Sequence, residues 1–491
     1  MKKTWEYVND ILKHFRPCFS REAAFQWFLV VVIGLMTRTD HLGVSSIIRE
    51  LSLDPHKYNS LIHFFRSEAW RLELIQQKWI EIIKESGVIH RIYGQIVLIG
   101  DGVKQGHEAS RMPGVKKLHQ ESEDSSKSEY IRGHLFGGLG ILIGDAAKLF
   151  CLPVSMRLHD GNGAILEWKE SEYKNDSHVT RLVREASNTA FALGERCFLL
   201  LDAYFLTGPA LEAIEQEASK AGKDLVSLIT RAKSNYTAWW KQDSPNAAAL
   251  DKNGNPRPKD SFRIMDLFRT QAQFFSEDTL MLYGELTKVR YLCVDLIWGR
   301  NLYREIRFVL TELDGSPWIL ACTDLEVDPR RIIELYCYRF KIEALFRAFK
   351  QVLAGFSCHF WSRRMPVFKM YIKAKEMEAK VEAVKADISK ASIINTYDAI
   401  EGFVMFACIA MGLIQICALR FYKEINNSKL RWMRTNSSTI PSEDTTAFNM
   451  RISLPSILNK FHDLAFVKAI RDRQPGVNDV SVDAFDSSES A

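Results

Sequence analysis

The stretch Gln95-Ile-Val-Leu-Ile-Gly100 is short, apolar and rich in β-branched residues, and Asp101-Gly102 follows it directly. A second stretch, Cys197-Phe-Leu-Leu-Leu201, has the same character and is followed by Asp202. Both have the length and the boundaries of fully buried strands. Ligands of open α/β sheets gather outside the carboxyl ends of the strands, so each Asp is placed for chemistry. The alternative for each is an aspartate that caps a turn, which Gly102 favours at the first position.

Strand and helix patterns alternate around these two stretches. The patterns predict strands at 95–100, 134–143, 146–152, 197–201 and 225–230, and helices near 163–193 and 208–220. This β-β-β-α-β-α-β order predicts an α/β protein with an RNase H-like core.

A third acidic candidate lies in Tyr336-Cys-Tyr-Arg339-Phe-Lys-Ile-Glu343-Ala-Leu-Phe-Arg347-Ala-Phe-Lys350. At about 100° per residue, the tyrosine, the carboxylate and the cations fall on one face of a single predicted helix, beside an apolar stripe. The stripe has the width of a core-facing surface and consists of Leu335, Ile342, Leu345, Phe346 and Phe349. A carboxylate among cations suits a site for a metal ion and a phosphate backbone. The alternative is a solvated face with weak ion pairs, such as Glu343 with Arg347.

The pattern Tyr336-x2-Arg339-x3-Glu343-x6-Lys350 resembles the Y-R-E-K signature of DDE transposases of the insertion-sequence-four type. The three acidic residues also occur in that family's order, and the resemblance covers roughly residues 91–425. One departure is that Ala-Tyr-Phe follows Asp202, where many relatives have Arg-Gly or Arg-Glu.

The resemblance implies that Asp101, Asp202 and Glu343 are the catalytic residues and bind two Mg²⁺ ions, which Mn²⁺ can replace. Two ions about 3.5–4 Å apart can activate a water and stabilise the leaving oxygen of a phosphodiester. Mg²⁺ prefers oxygen ligands and keeps several waters, so two or three carboxylates suffice. We expect Asp101 to bridge the ions.

Five further side chains are predicted to bind DNA. Arg339 and Lys350 would contact phosphates near the cut bond, the first by a planar fork and the second as a point charge. Tyr336 would bond a phosphate or stack on a base. Arg231 and Lys233 belong to a segment that resembles a basic segment of the same enzymes.

Charge is distributed unevenly along the 491 residues. The net charge is only +5, which neither requires nor excludes nucleic acid. Residues 330–390, however, contain 14 Lys/Arg against 6 Asp/Glu. Such a local excess is the electrostatic footprint of a DNA-binding groove.

The domain prediction has four parts. Residues 1–90 are expected to form an all-helical N-terminal domain, either for binding DNA ends or for packing alone. Residues 91–232 and 317–425 form the catalytic domain, which a β-rich insertion at 233–316 interrupts. Residues 426–491 are predicted to be a C-terminal segment that contains a linker at 435–446 and a disordered tail in the last 18 residues. In the insertion, Trp298 either accepts a flipped base, as an aromatic residue does in relatives, or packs across strands.

Nothing in the sequence indicates export. The nine cysteines form no CxxC pair and read as free thiols in a reducing compartment. Residues 403–419 are apolar but at the lower limit for a membrane span, so we expect a buried helix and no membrane contact. These features predict a cytoplasmic protein, and the resemblance implies a bacterial one associated with the nucleoid.

The resemblance implies cut-and-paste transposition. Its partners are double-stranded DNA, namely the terminal inverted repeats of the element and the target, and a second copy in a homodimer. Two alternatives stay open: a domesticated RNase H-like nuclease that cleaves without strand transfer, and an inactive DNA-binding relative.

Overall fold

The chain folds as a mixed α/β protein with N-terminal helices, as predicted. The computed structural model describes residues 1–40, 43–107, 109–120, 128–242, 244–245, 247–313, 315–426 and 439–476. Within these residues, thirteen strands join in one mixed sheet.

The helices are given in chain order, beginning with those up to residue 270. They are α1 (Lys2–Lys13), α2 (Glu22–Thr37), α3 (Ser45–Glu50), α4 (Tyr58–Phe65), α5 (Leu72–Glu85), α6 (Gly163–Trp168), α7 (His178–Leu193), α8 (Gly208–Ala221) and α9 (Leu267–Thr270). The later helices are α10 (Pro329–Tyr336), α11 (Lys341–Gln351), α12 (Ala374–Glu382), α13 (Asp387–Arg420), α14 (Tyr422–Asn426), α15 (Glu443–Lys460) and α16 (Ala465–Arg471).

The strands follow the same chain order. They are β1 (Arg91–Ile92), β2 (Gln95–Gly106), β3 (Lys116–His119), β4 (Tyr130–Asp145), β5 (Lys148–Leu158), β6 (Cys197–Leu201), β7 (Val226–Arg231), β8 (Thr237–Trp240), β9 (Phe262–Arg263), β10 (Ser276–Leu282), β11 (Glu285–Trp298), β12 (Arg304–Leu313) and β13 (Ser316–Cys322).

The centre of the sheet runs in the order β5-β4-β2-β6-β7. β2, β6 and β7 are mutually parallel, whereas β4 is antiparallel to β2 and to β5. β6 is buried at all five residues, as its continuous apolar run predicts. Beyond β7 the sheet continues through β13, β12, β11, β8 and β9. The strands of the predicted insertion therefore extend this sheet.

Three predicted element boundaries are wrong. The helix predicted near 163–193 is divided into α6 and α7, with residues 169–177 between them. β2 does not end at Gly100, because it keeps pairing with β4 as far as Gly106; Asp101 therefore lies inside the strand. The signature residues do not lie on one helix either. α10 ends at Tyr336, a turn occupies residues 337–340, and α11 begins at Lys341. The apolar stripe is nevertheless buried as predicted, because both helices pack on the sheet.

The predicted buried helix is α13. Among the described residues it is the one helix long and apolar enough to cross a membrane, and 94% of its most apolar window is buried. It packs on β5 and α2, and Gln415 donates a hydrogen bond of 3.1 Å to the Cys151 carbonyl of β5. This is the environment of a buried core helix.

The linker predicted at 435–446 is wrong at its end, because α15 begins at Glu443. Residues 439–476 contain α15 and α16, which pack against the N-terminal helices. The indole of Trp5 donates to Ser453 at 3.0 Å, and Asn9 accepts from the backbone of Ala465 at 2.8 Å. The last 18 residues are expected to be disordered, and 477–491 of them lie outside the described residues. Residues 427–438, which include the first part of the predicted linker, lie outside them too.

We expect Gly412→Ala to destabilise the protein by about 1–3 kcal/mol, the usual effect of overpacking. A Cβ at Gly412 would lie 2.3 Å from the ring of Trp79, whose indole donates to the Pro153 carbonyl of β5. Urea unfolding measures the effect. Gly208→Ala is the matched control, because nothing lies within 4 Å of its added Cβ. Equal unfolding midpoints for the two variants would contradict the packing described for α13.

Candidate active site

The two aspartates lie side by side at the centre of the sheet. β2 and β6 pair one to one from Ile96 with Cys197 to Ile99 with Leu200. The same register carried two residues onward sets Asp101 beside Asp202. β6 ends at Leu201, whereas β2 continues to pair with β4. The side of β2 at Asp101 therefore has no strand of β6 beside it.

Backbone groups orient both carboxylates. Asp101 Oδ1 accepts a hydrogen bond from the Gly102 amide at 2.7 Å, and Asp202 Oδ1 accepts one from the Ala203 amide at 2.7 Å. Thr230 on β7 donates to the carbonyl of Asp202 at 2.8 Å. The capping role considered for Asp202 is thus present, and one carboxylate oxygen of each residue remains for other partners.

Glu343 reaches the aspartates because α11 packs on the same face of the sheet as Asp101. Asp101 pairs with Gly138 across β2 and β4, so their side-chain positions share that face. A Cβ at Gly138 would lie 2.7 Å from the ring of Phe346. The missing side chain therefore lets Phe346 rest on β4, which sets Glu343, in the first turn of α11, above the site.

Arg339 connects two of the three carboxylates. Its Nη1 donates to Asp101 Oδ2 at 3.1 Å, and its Nη2 donates to Glu343 Oε1. Glu343 pairs with Arg339 rather than with Arg347, the partner considered from helix spacing. The pKa of Asp101 is raised to about 6. Burial is the largest cause, Arg339 opposes it, and the charges of Asp202 and Glu343 act in the same direction as burial.

The three carboxylates supply the oxygen donors that Mg²⁺ prefers. In the conformation seen, however, no group of three or more His, Cys, Asp or Glu among the described residues is arranged to hold a metal ion. Arg339 bridges Asp101 and Glu343 instead. The donor type fits the expected ions, but their binding requires Arg339 to release at least one carboxylate.

The side chains predicted to contact DNA differ in how many of their atoms are buried or bonded within the protein. Tyr336 is buried edge-on against Trp318, and Arg231 stacks over the same indole with its guanidinium 4.8 Å from the ring centre. Lys350 is half-buried and donates to the Lys104 carbonyl of β2 at 3.0 Å. Lys233 is exposed just beyond β7. Tyr336 therefore lines the wall of the site, and a phosphate role would need it to move.

Trp298 lies outside this group. It is the last residue of β11, is 8% exposed and packs on Tyr236 with 5.4 Å between ring centres. Both rings line a cavity of about 410 Å³ together with Trp239. The packing alternative is therefore present, and the cavity leaves the flipped-base prediction open.

A buried ionic cluster supports the opposite face of the same strands. Arg181 of α7 donates to Glu185 at 3.0 Å, and Arg157 of β5 pairs with Glu401 of α13 at 3.2 Å. His159 lies 3.2 Å from Glu185. Although burial acts in the opposite direction, Arg157 and Arg181 hold the pKa of Glu401 below its usual range.

This cluster touches the backbone that carries the site. The Nδ1 atoms of His159 and His178 are 2.9 Å apart. A Cβ added at Gly102 would lie 2.8 Å from Nε2 of His178. The imidazoles thus hold the strand directly after Asp101. Sequence reasoning missed these residues, because charged side chains spaced far apart along the chain give no local signal of mutual burial.

Comparison of the chain with protein-family models, curated proteins and solved structures finds no match.

A double-mutant cycle should detect the ion pair at the site. We expect Arg339→Gln and Asp101→Asn to couple by about 1 kcal/mol in urea unfolding with EDTA present, since the pair is partly buried. The matched control is the exposed pair Lys380 and Glu376 on α12, whose coupling should stay near 0.3–0.5 kcal/mol, or roughly half as much. A coupling no larger than the control would mean that Arg339 does not hold Asp101.

Stability should fall as the pH is lowered from 6.5 to 5.5. Burial lowers the pKa of His107 to about 2, of His134 to about 4 and of His178 to about 3. The unfolded chain takes up these protons below about pH 6.5 and the folded chain does not, so each histidine removes about 1 kcal/mol over this interval.

Urea unfolding at both pH values measures this loss. His134→Gln should reduce the pH-dependent loss by about 1 kcal/mol, whereas His56→Gln, at an exposed histidine, should leave it unchanged. A pH response that is identical in the wild type and in His134→Gln would contradict the prediction.

Proposed function

We propose that this protein is a DNA transposase of the DDE kind, which cleaves phosphodiesters at the ends of a mobile element and joins the freed ends to target DNA. The observation that carries the proposal is the one-to-one register of β2 and β6, which brings Asp101 beside Asp202 below the first turn of α11. Arg339 then ties Asp101 to Glu343, so three carboxylates far apart in sequence share one electrostatic environment.

The strand arrangement supports an RNase H-like core in this proposal. β5, β4 and β2 form an antiparallel meander, and β6 and β7 add parallel strands on the other side of β2. In the same reading, β8 to β12 are the insertion between the core strand β7 and the helix that carries Glu343. The protein would act in the bacterial cytoplasm as a homodimer on double-stranded DNA.

In the proposed reaction the three carboxylates would hold two Mg²⁺ ions, and such ions would supply an activated water and stabilise the leaving oxygen. Asp101 would present its oxygens from β2, Asp202 from the position directly after β6, and Glu343 would complete the set from α11. Arg339 exchanges a carboxylate for a phosphate oxygen, because both accept its planar fork. Lys350 adds positive charge next to β2, where the DNA backbone would pass.

Substitution of the triad tests the reaction. We expect Asp101→Asn, Asp202→Asn and Glu343→Gln each to reduce Mg²⁺-dependent nicking of DNA that carries the element ends by at least roughly 100-fold, because each removes a group needed in the transition state. Glu326→Gln, at an exposed carboxylate outside the site, is the control and should cut like the wild type. Nicking that survives in all three variants would exclude these carboxylates as the catalytic group.

Strand transfer separates the transposase from a nuclease. Pre-cut ends with a free 3′-OH are incubated with supercoiled plasmid, and joined products are measured on a gel. We expect joining by the wild type and none by Glu343→Gln. Cleavage without joined product would favour the nuclease alternative.

A further inference from the structure

A second groove opens where β2 ends, beyond the candidate active site. It encloses about 1020 Å³ and is lined at one side by His107 and Arg132 and at the other by Trp361, Met370 and Tyr371. His107 directly follows β2, the strand that carries Asp101. The groove is therefore continuous with the catalytic strand but does not include the three carboxylates.

Two exposed rings and a methionine side chain form one wall of the groove. Trp361 is 48% exposed, Tyr371 is 51% exposed and Met370 is 61% exposed. Lys117 stands between two rings, 3.5 Å from the centre of Tyr130 and 5.9 Å from that of Tyr371. Exposed aromatic faces beside cations are the features on which unpaired bases stack.

The opposite wall offers polar groups that lack protein partners. Nε and Nη2 of Arg132 are buried and have no hydrogen-bond acceptor among the residues that the structure describes. His107 is 7% exposed, and its Nε2 also has no hydrogen-bond partner in the described part of the chain. Arg132 itself is half-buried. Buried N–H groups without an acceptor are costly, and an anionic ligand that bonds them would remove that cost.

Charge also favours a polyanion. The segment 357–373, which supplies the aromatic wall, contains Arg363, Arg364, Lys369 and Lys373 and no Asp or Glu. All four cations are exposed. The groove therefore combines stacking faces, a half-buried guanidinium with unbonded N–H groups, and a basic rim. A strand of nucleotides, which has both bases and phosphates, is the occupant with the best chemical fit.

We propose that this groove binds an unpaired DNA strand, whose bases stack on Trp361 and Tyr371 and whose phosphate pairs with Arg132. The inference rests on the proposed function for its choice of DNA. It adds a binding site for the strand that leaves the duplex near the cut. His107 would contribute a neutral ring nitrogen to a base or sugar, since burial lowers its pKa to about 2.

The test is fluorescence anisotropy of a labelled 20-nucleotide oligothymidylate and of a matched duplex, both in EDTA so that no cutting occurs. We expect Trp361→Ala and Tyr371→Ala each to weaken single-strand binding by at least about 5-fold, as the loss of one stacking contact does, and duplex binding by less than about 2-fold. Arg132→Gln should reduce the salt slope of single-strand binding by about 0.7. Phe191→Ala, at a ring 58% exposed on α7, is the matched control.

Photocrosslinking gives a second measurement that does not depend on the variants. An oligonucleotide with 5-iodouracil should crosslink the wild type at Trp361 or Tyr371. Crosslinks only elsewhere, or groove variants that bind the single strand like Phe191→Ala, overturn the proposal. Variants that bind duplex and single strand equally weakly also overturn it. A wild type that binds phosphatidylserine vesicles but not the oligonucleotide overturns it as well.

The two proposals fail in distinguishable ways. Glu343→Gln should bind the single strand like the wild type, because Glu343 lies outside the groove. Normal nicking together with unaffected binding in Trp361→Ala and Tyr371→Ala removes the groove proposal alone. Groove-dependent binding by a wild-type protein that cuts no DNA removes the proposed reaction and leaves the groove as a nucleic-acid site.

Discussion

The parallel register between β2 and β6 is the constraint on which the site depends. It pairs Ile99 with Leu200, so the next residues outward bring Asp101 to Asp202. A slip of one residue would turn one side chain to the other face of the sheet. The buried apolar runs on both strands resist such a slip, because each has its full length inside the core. The chemistry of the site therefore rests on ordinary hydrophobic burial.

The two faces of these strands have divided tasks. On one face, Gly138 lets Phe346 and α11 approach, which delivers Glu343 and Arg339 to Asp101. On the other, His178 fills the space at Gly102 and leads into the ionic cluster of α7, β5 and α13. A buried ionic cluster is weak evidence for stability, since desolvation offsets much of the attraction. Its contacts here fix the position of the strand that carries Asp101.

Arg339 determines how the carboxylates of the site are paired. With the guanidinium between Asp101 and Glu343, the carboxylates neutralise it and are not arranged to hold a metal ion. Under the proposed function, DNA phosphate would compete for the same guanidinium and free the carboxylates for metal ions. The substrate backbone would then help to assemble the site that cuts it, because binding and chemistry share one cation.

The sequence by itself determined the elements whose signal is local. The sequence of residues 1–90 predicted the helical character of α1 to α5, and the apolar runs predicted β6 and the beginning of β2. Asp101, Asp202 and Glu343 stood out because each borders such a run or stripe. Only the tertiary structure decided where β2 ends, since β4 supplies the hydrogen bonds that extend it, and where the signature helix breaks, since the turn at 337–340 lets two helices pack on one sheet. It alone also decided that Arg339 bridges two carboxylates and that distant charges share a buried cluster, because a long-range contact depends on the packing of every element between its partners.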